Sequence, residues 1–167
     1  KRLAEEVLAE LFAEVAELAL LDRRAGLERA LDLALERVDA EAGSILLVAA
    51  GHRVLEFAVV RGPRAEELTA LRATVPVGVG IAGFCAQEDV CLAVSEAERD
   101  PRFFRAISRA IGYETRSLLC APIARRGAVL GVLEVLNKRG GAPFDARDLA
   151  VVSYLAHQAA EHLARTG

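Results

Sequence analysis

Methionine and tryptophan are absent from this 167-residue chain, and aromatic side chains make up only 5% of it. Proteins that stack bases need aromatics interleaved with arginine or lysine. Here the phenylalanines and tyrosines are scattered among acidic residues and the net charge is -3, so no nucleic-acid partner is expected. Cysteine is scarce too. Cys85, Cys91 and Cys120 are odd in number, lack metal-ligand spacing and sit in apolar contexts, which points to buried reduced thiols and a cytoplasmic location. No apolar run is long enough for a membrane span or a secretion signal, because Glu5, Glu6, Glu10, Glu14 and Glu17 interrupt the N-terminal stretch. Histidine offers no catalytic set: His52 falls in a turn, and His157 and His162, five apart on a helix, do not share a face as a metal-binding pair would. No metal site and no Ser-His-Asp or Cys-His arrangement is expected. A chain without methionine that starts at Lys1 reads as a segment of a longer protein, with an output domain attached elsewhere.

What remains is 53% hydrophobic residues in a length suited to one apolar core. Residues 1–22 read as an N-terminal helix, with Ala4, Leu8, Leu11, Val15 and Leu18 forming a seam for packing on the chain's own sheet or for pairing with a second protomer. Residues 23–167 read as the main domain. Asp22 to Gly26 interrupts the helical pattern, and a second helix follows over 27–38. Residues 44–49 and 54–60 form one expected hairpin, and 117–124 and 128–136 a second, closed by Arg125-Arg126-Gly127. Between them lie short helices at 63–71 and 81–88, an edge strand at 92–94, and a helix expected to start at Asp100-Pro101 with Phe104, Ile107 and Ile111 inward and Gly112 at its end. The last helix runs from Ala146 to about Arg165. Hairpin-joined strands with inserted helices predict an α+β fold: a central antiparallel sheet of five or six strands flanked by helices.

Two glycine-bearing motifs need weighing. Gly78 to Gly83 spells GxGxxG, yet only two helical turns fit before Leu92, too few for the crossover of a dinucleotide fold. The other motif is Asn137-Lys138, then Gly-Gly-Ala-Pro, then Phe144, Asp145 and Asp148. Helix-start physics accounts for much of it: Asp145 suits an N-cap, Phe144 and Leu149 a hydrophobic staple, and Asp148 the positive helix end. Asn137, Lys138, Phe144 and Asp148 also match the NKFDE signature, with Leu149 at its last position, and on this run the chain resembles a GAF domain. This sensory module occurs in cyclic-nucleotide phosphodiesterases, adenylyl cyclases, histidine kinases and transcriptional activators.

The resemblance implies a ligand pocket under the sheet, touched by Ser44, Ile81, Ala82, Phe104, Thr115 and Glu134. Arg61 is a further candidate ligand residue, standing where cyclic-nucleotide-binding relatives carry an acidic residue, and Ser108 and Ile111 replace an acidic residue and a threonine. An arginine reverses the donors and acceptors offered to a purine edge. The expected function is therefore a non-catalytic regulatory domain that binds a small molecule and relays the change through terminal helices as a homodimer, with a cyclic nucleotide among the candidate ligands. A ligand-free dimerisation scaffold is the alternative. A methionine sulfoxide reductase activity is a third reading, against which stands the lack of cysteine inside Gly80-Ile81-Ala82-Gly83.

Overall fold

The computed structural model describes residues 2–167, with side chains from Glu5 onward; Lys1 of the expected first helix and the side chain of Ala4 in its seam lie outside what is described. The element order is α1 (Arg2–Ala16), a 3-10 turn (Glu17–Leu20), α2 (Arg23–Val38), β1 (Ala40–Val48), β2 (Val54–Arg61), α3 (Ala65–Leu71), β3 (Thr74–Pro76), α4 (Gly80–Glu88), β4 (Leu92–Val94), α5 (Arg105–Ile111), β5 (Leu118–Arg125), β6 (Ala128–Lys138) and α6 (Ala146–Thr166). The strands form one six-stranded sheet in the order β3-β2-β1-β6-β5-β4, and every neighbouring pair is antiparallel. The expected α+β architecture is what the chain adopts.

Alternation along the strands splits the core in two. Ile45, Val59, Leu119, Ala121, Leu133 and Val135 point to one face, where they pack with α2 and α6. Leu46, Leu55, Leu118, Cys120 and Val132 point to the other, covered by α4 and its flanking segments. Leu11, Val15 and Leu18 join the first cluster, so part of the N-terminal seam packs on the chain's own core, while Leu8 stays 48% exposed. Arg37 of α2 pairs with Glu10 and Glu14 of α1, and Phe12 meets Tyr154 of α6 edge-on at 5.5 Å.

Four boundaries differ from the sequence expectation by more than two residues. The 100° rotation of α1 tightens into a 3-10 turn at Glu17, ending the α-helix before Leu21. Helix α2 starts at Arg23, not Leu27, because the Asp22 carboxylate accepts from Ala25 N at 2.8 Å and caps it. Asp100 does not start a helix: its carboxylate accepts from Arg102 N at 2.9 Å and clamps the Arg102 guanidinium at 2.7 and 3.0 Å, so a local turn wins and α5 begins at Arg105. β1 begins at Ala40, since Ala40, Ala42 and Gly43 pair with β6 although small residues leave no periodic signal. At the far end, Asp145 and Asp148 form a reciprocal capping box on α6, and Lys138 donates to Asp148 Oδ2 at 2.6 Å, tying the end of β6 to the start of that helix.

Candidate functional site

The register of three central strands builds the floor of a cavity. Ser44 on β1 stands opposite Glu134 on β6, and Glu134 stands opposite Cys120 on β5, so the three form one row on a single sheet face. Above that row, Ile81 and Ala82 come from the first turn of α4, and Phe104, Ile107, Ser108 and Ile111 from α5 and its lead-in. Tyr113 and Thr115, between α5 and β5, close one side, and Phe57 and Leu68 another. The space between them, open on part of its boundary, is about 100 Å³, counted as room for the centre of a water molecule. Gly80 makes the close approach of α4 feasible: its φ is +72°, and a Cβ there would sit 2.8 Å from the Phe104 Cβ.

Glu134 is the one carboxylate in the lining. The residue is half-buried and borders the cavity, and desolvation by the mainly apolar surroundings raises its pKa above the ordinary carboxyl value. A hydrogen bond donated by Cys120 Sγ to Glu134 Oε2, at 3.3 Å, opposes the rise without cancelling it. The sign follows by linkage: below the unfolded-state pKa both states hold the proton, and as pH rises through the window up to the folded-state pKa the native state loses stability. Wild type minus Glu134→Gln is therefore expected to show stability falling as pH rises above the ordinary carboxyl range, and Glu134→Gln to be the more stable at neutral pH. Urea melts across pH check this, a flat difference being the contrary result.

Burial pushes the Cys85 and Cys120 thiols up, which keeps them protonated and poorly nucleophilic. Burial and the Glu41 carboxylate likewise push the Tyr113 phenol up. Tyr113 OH donates to Glu41 Oε2 at 2.9 Å and accepts from Asn137 Nδ2 at 2.9 Å. Asn137, 1% exposed, fixes the whole side wall: Nδ2 also donates to Glu114 O, and Oδ1 accepts from Arg116 N at 2.7 Å and Ser117 N at 3.1 Å. The Asn-Lys pair thus braces the cavity on one side and α6 on the other. Phe144, 8% exposed, is buried in the core beside it.

Of the residues expected to touch a ligand, Ser44, Ile81, Ala82, Phe104, Thr115 and Glu134 line this one cavity. Arg61 does not. It reaches back to α2, where Nε donates to Asp32 Oδ1 at 3.0 Å, and it borders a smaller recess of about 30 Å³. Tyr113, Phe57 and Phe103 were not singled out from the sequence. Tyr113 carried a local signal, standing two positions before Thr115 in an extended segment and so on the same side of it. Among the described residues no cluster of His, Cys, Asp and Glu could hold a metal ion, and no helix is long and apolar enough to cross a membrane.

The sequence model of the GAF domain matches residues 4–163. A cGMP-specific 3',5'-cyclic phosphodiesterase of Drosophila mojavensis is 38% identical over 99 residues, which are 58% of this chain and 8% of that protein. The GAF domain from a phosphoenolpyruvate-protein phosphotransferase of Coxiella burnetii superposes with a TM-score of 0.83 at 19% identity, covering 95% of this chain and 92% of that one. A free methionine-R-sulfoxide reductase of Neisseria meningitidis, solved with its substrate, gives 0.75 at 20% identity over 91% and 84%.

Proposed function

The chain belongs to the GAF domain family, and we propose that it is the regulatory sensory domain of a larger cytoplasmic signalling protein, binding a small organic molecule between the sheet and helices α4 and α5. The observation that carries this reading is the convergence of Ser44, Thr115, Tyr113 and Glu134 on one mainly apolar cavity. A few placed polar groups in an apolar lining are what a small-molecule site needs. The raised thiol pKa values of Cys85 and Cys120 favour binding over redox chemistry. Occupancy would be felt at Glu134, and β6 leads from there through Asn137 and Lys138 to Asp148 in the first turn of α6. The response is limited to the ligand's preference between the two arrangements it links.

The test is a thermal-shift and native mass spectrometry panel of cyclic nucleotides, nucleobases and small heteroaromatics, with cGMP included because of the phosphodiesterase relative. A ligand at a hundred times its Kd stabilises the domain by about 2.7 kcal/mol. Ser108→Leu, on the half-exposed α5, fills the cavity and is expected to abolish the shift while the ligand-free melt stays close to wild type. No shift from any compound leaves the scaffold reading, a homodimer through the terminal helices, which the exposed Leu8, Phe12 and Leu20 favour on their own.

A further inference from the structure

Helix α1 presents an exposed apolar stripe beside glutamates, in which the Phe12 ring meets a neighbour, Tyr154. Leu8 and Phe12 are 48% and 53% exposed, one helical turn apart, with Ala9, Ala13 and Ala16 exposed beside them. Glu5 and Glu6 are exposed beside the stripe, while Glu10 lies on the opposite flank and pairs with Arg37. The stripe fits a surface that is apolar in the middle and basic at the rim.

The same chain carries such a surface at the end of the sheet where both hairpins turn. Leu47 and Val48 of β1, Val129 and Leu130 of β6, and Leu163 and Ala164 of α6 line a groove there of about 400 Å³. Arg23, His52 and Arg125 complete its lining. Arg53, Arg126 and Arg165 each follow a lining residue in sequence and are exposed. Of these arginines only Arg125 is held in an ion pair among the described residues, with Glu161 at 3.3 Å. The groove is thus an apolar trough with surplus positive charge around it.

We propose that the acidic apolar face of α1 from one protomer docks in this basic groove of a second copy, reciprocally, giving a closed two-fold dimer. The proposal rests on the pairing through terminal helices set out above and names the surfaces that meet. Each contact joins unlike surfaces, yet the two-fold repeats it in both directions, so association stops at two. The groove wall includes the last turns of α6, so each first helix bears on its partner's last.

Sedimentation equilibrium of wild type, Glu6→Arg and Arg126→Glu tests it, using two exposed residues without an ion pair among the described residues. Wild type is expected to dimerise, more weakly at high salt. Each variant alone should weaken the dimer about tenfold, because an attractive rim contact becomes repulsive twice over. An equimolar mixture of the two variants should recover wild-type affinity, since every basic α1 then meets an acidified groove and every acidic α1 a basic one. Unchanged melting temperatures show that both variants fold. A dimer indifferent to both changes, or a mixture that fails to recover, overturns the assigned surfaces while leaving the pairing standing; a monomer at every concentration overturns both.

Discussion

Gly26→Ala is expected to destabilise the domain by about 3 to 5 kcal/mol, although glycine to alanine inside a helix ordinarily stabilises by about 1 kcal/mol. A Cβ on Gly26 would lie 2.0 Å from His162 Nε2 and within 2.5 Å of two further ring atoms. His162 is fully buried on α6 and has nowhere to go. Its Nε2 lies 2.9 Å from Asp22 O and 3.2 Å from Arg23 O, so the ring donates to the carbonyls that open α2. Pushing it out breaks this contact and the packing of the two terminal helices together. The opposing terms are separable in a double-mutant cycle. Against a His162→Ala background the clash disappears, and Gly26→Ala should become neutral or stabilising. Additive effects in chemical denaturation would refute the steric account.

That pair also shows where the sequence stops being readable. Gly26 looks like a break between helices because its reason, the ring of His162, comes from the opposite end of the chain. Strands β5 and β6, by contrast, were legible because apolar alternation, turn residues and length all agree locally. The start of α6 was legible for the same reason, and the Lys138 to Asp148 bridge follows from a motif whose two halves the loop at 139–143 brings together. Six of the seven candidate ligand residues share the cavity because family spacing fixes strand register, and register fixes facing. Arg61 falls outside that logic. Its side chain had a choice between the cavity side and the carboxylates of α2, and only the packed structure shows Asp32 and Glu28 within 3.0 and 3.8 Å. The Asp100 turn is not distinguishable from a helix start in the sequence, because a helix cap and an isolated Asx-type turn use the same local hydrogen bond.

Asn137→Ala is the other change expected to cost heavily, and it reaches from stability into the site. Among the described residues the Asn137 side chain is the sole side-chain acceptor for the amides of Arg116 and Ser117, and its Nδ2 serves Glu114 O and the Tyr113 hydroxyl. Removing it strands the buried Ser117 amide, at about 1 to 3 kcal/mol, and leaves the part-buried Arg116 amide, Glu114 carbonyl and Tyr113 hydroxyl to water. Asn137 also has φ +55°, where alanine is strained by about another 1 kcal/mol. A total of about 2 to 4 kcal/mol follows. Asn137→Gly separates the two causes: it loses the same hydrogen bonds but accepts the backbone conformation, so it should recover only the strain. The loss should be local first. The segment that carries Tyr113 and Thr115 into the cavity hangs on these bonds, so amide exchange at 113–117 should accelerate in Asn137→Gly more than in β1 or α2. Any ligand found by the panel should then bind more weakly, because part of its binding energy must reorder the wall. Uniform acceleration across the sheet, or unchanged exchange at 113–117, would show that Asn137 supports the fold as a whole and does not brace this wall.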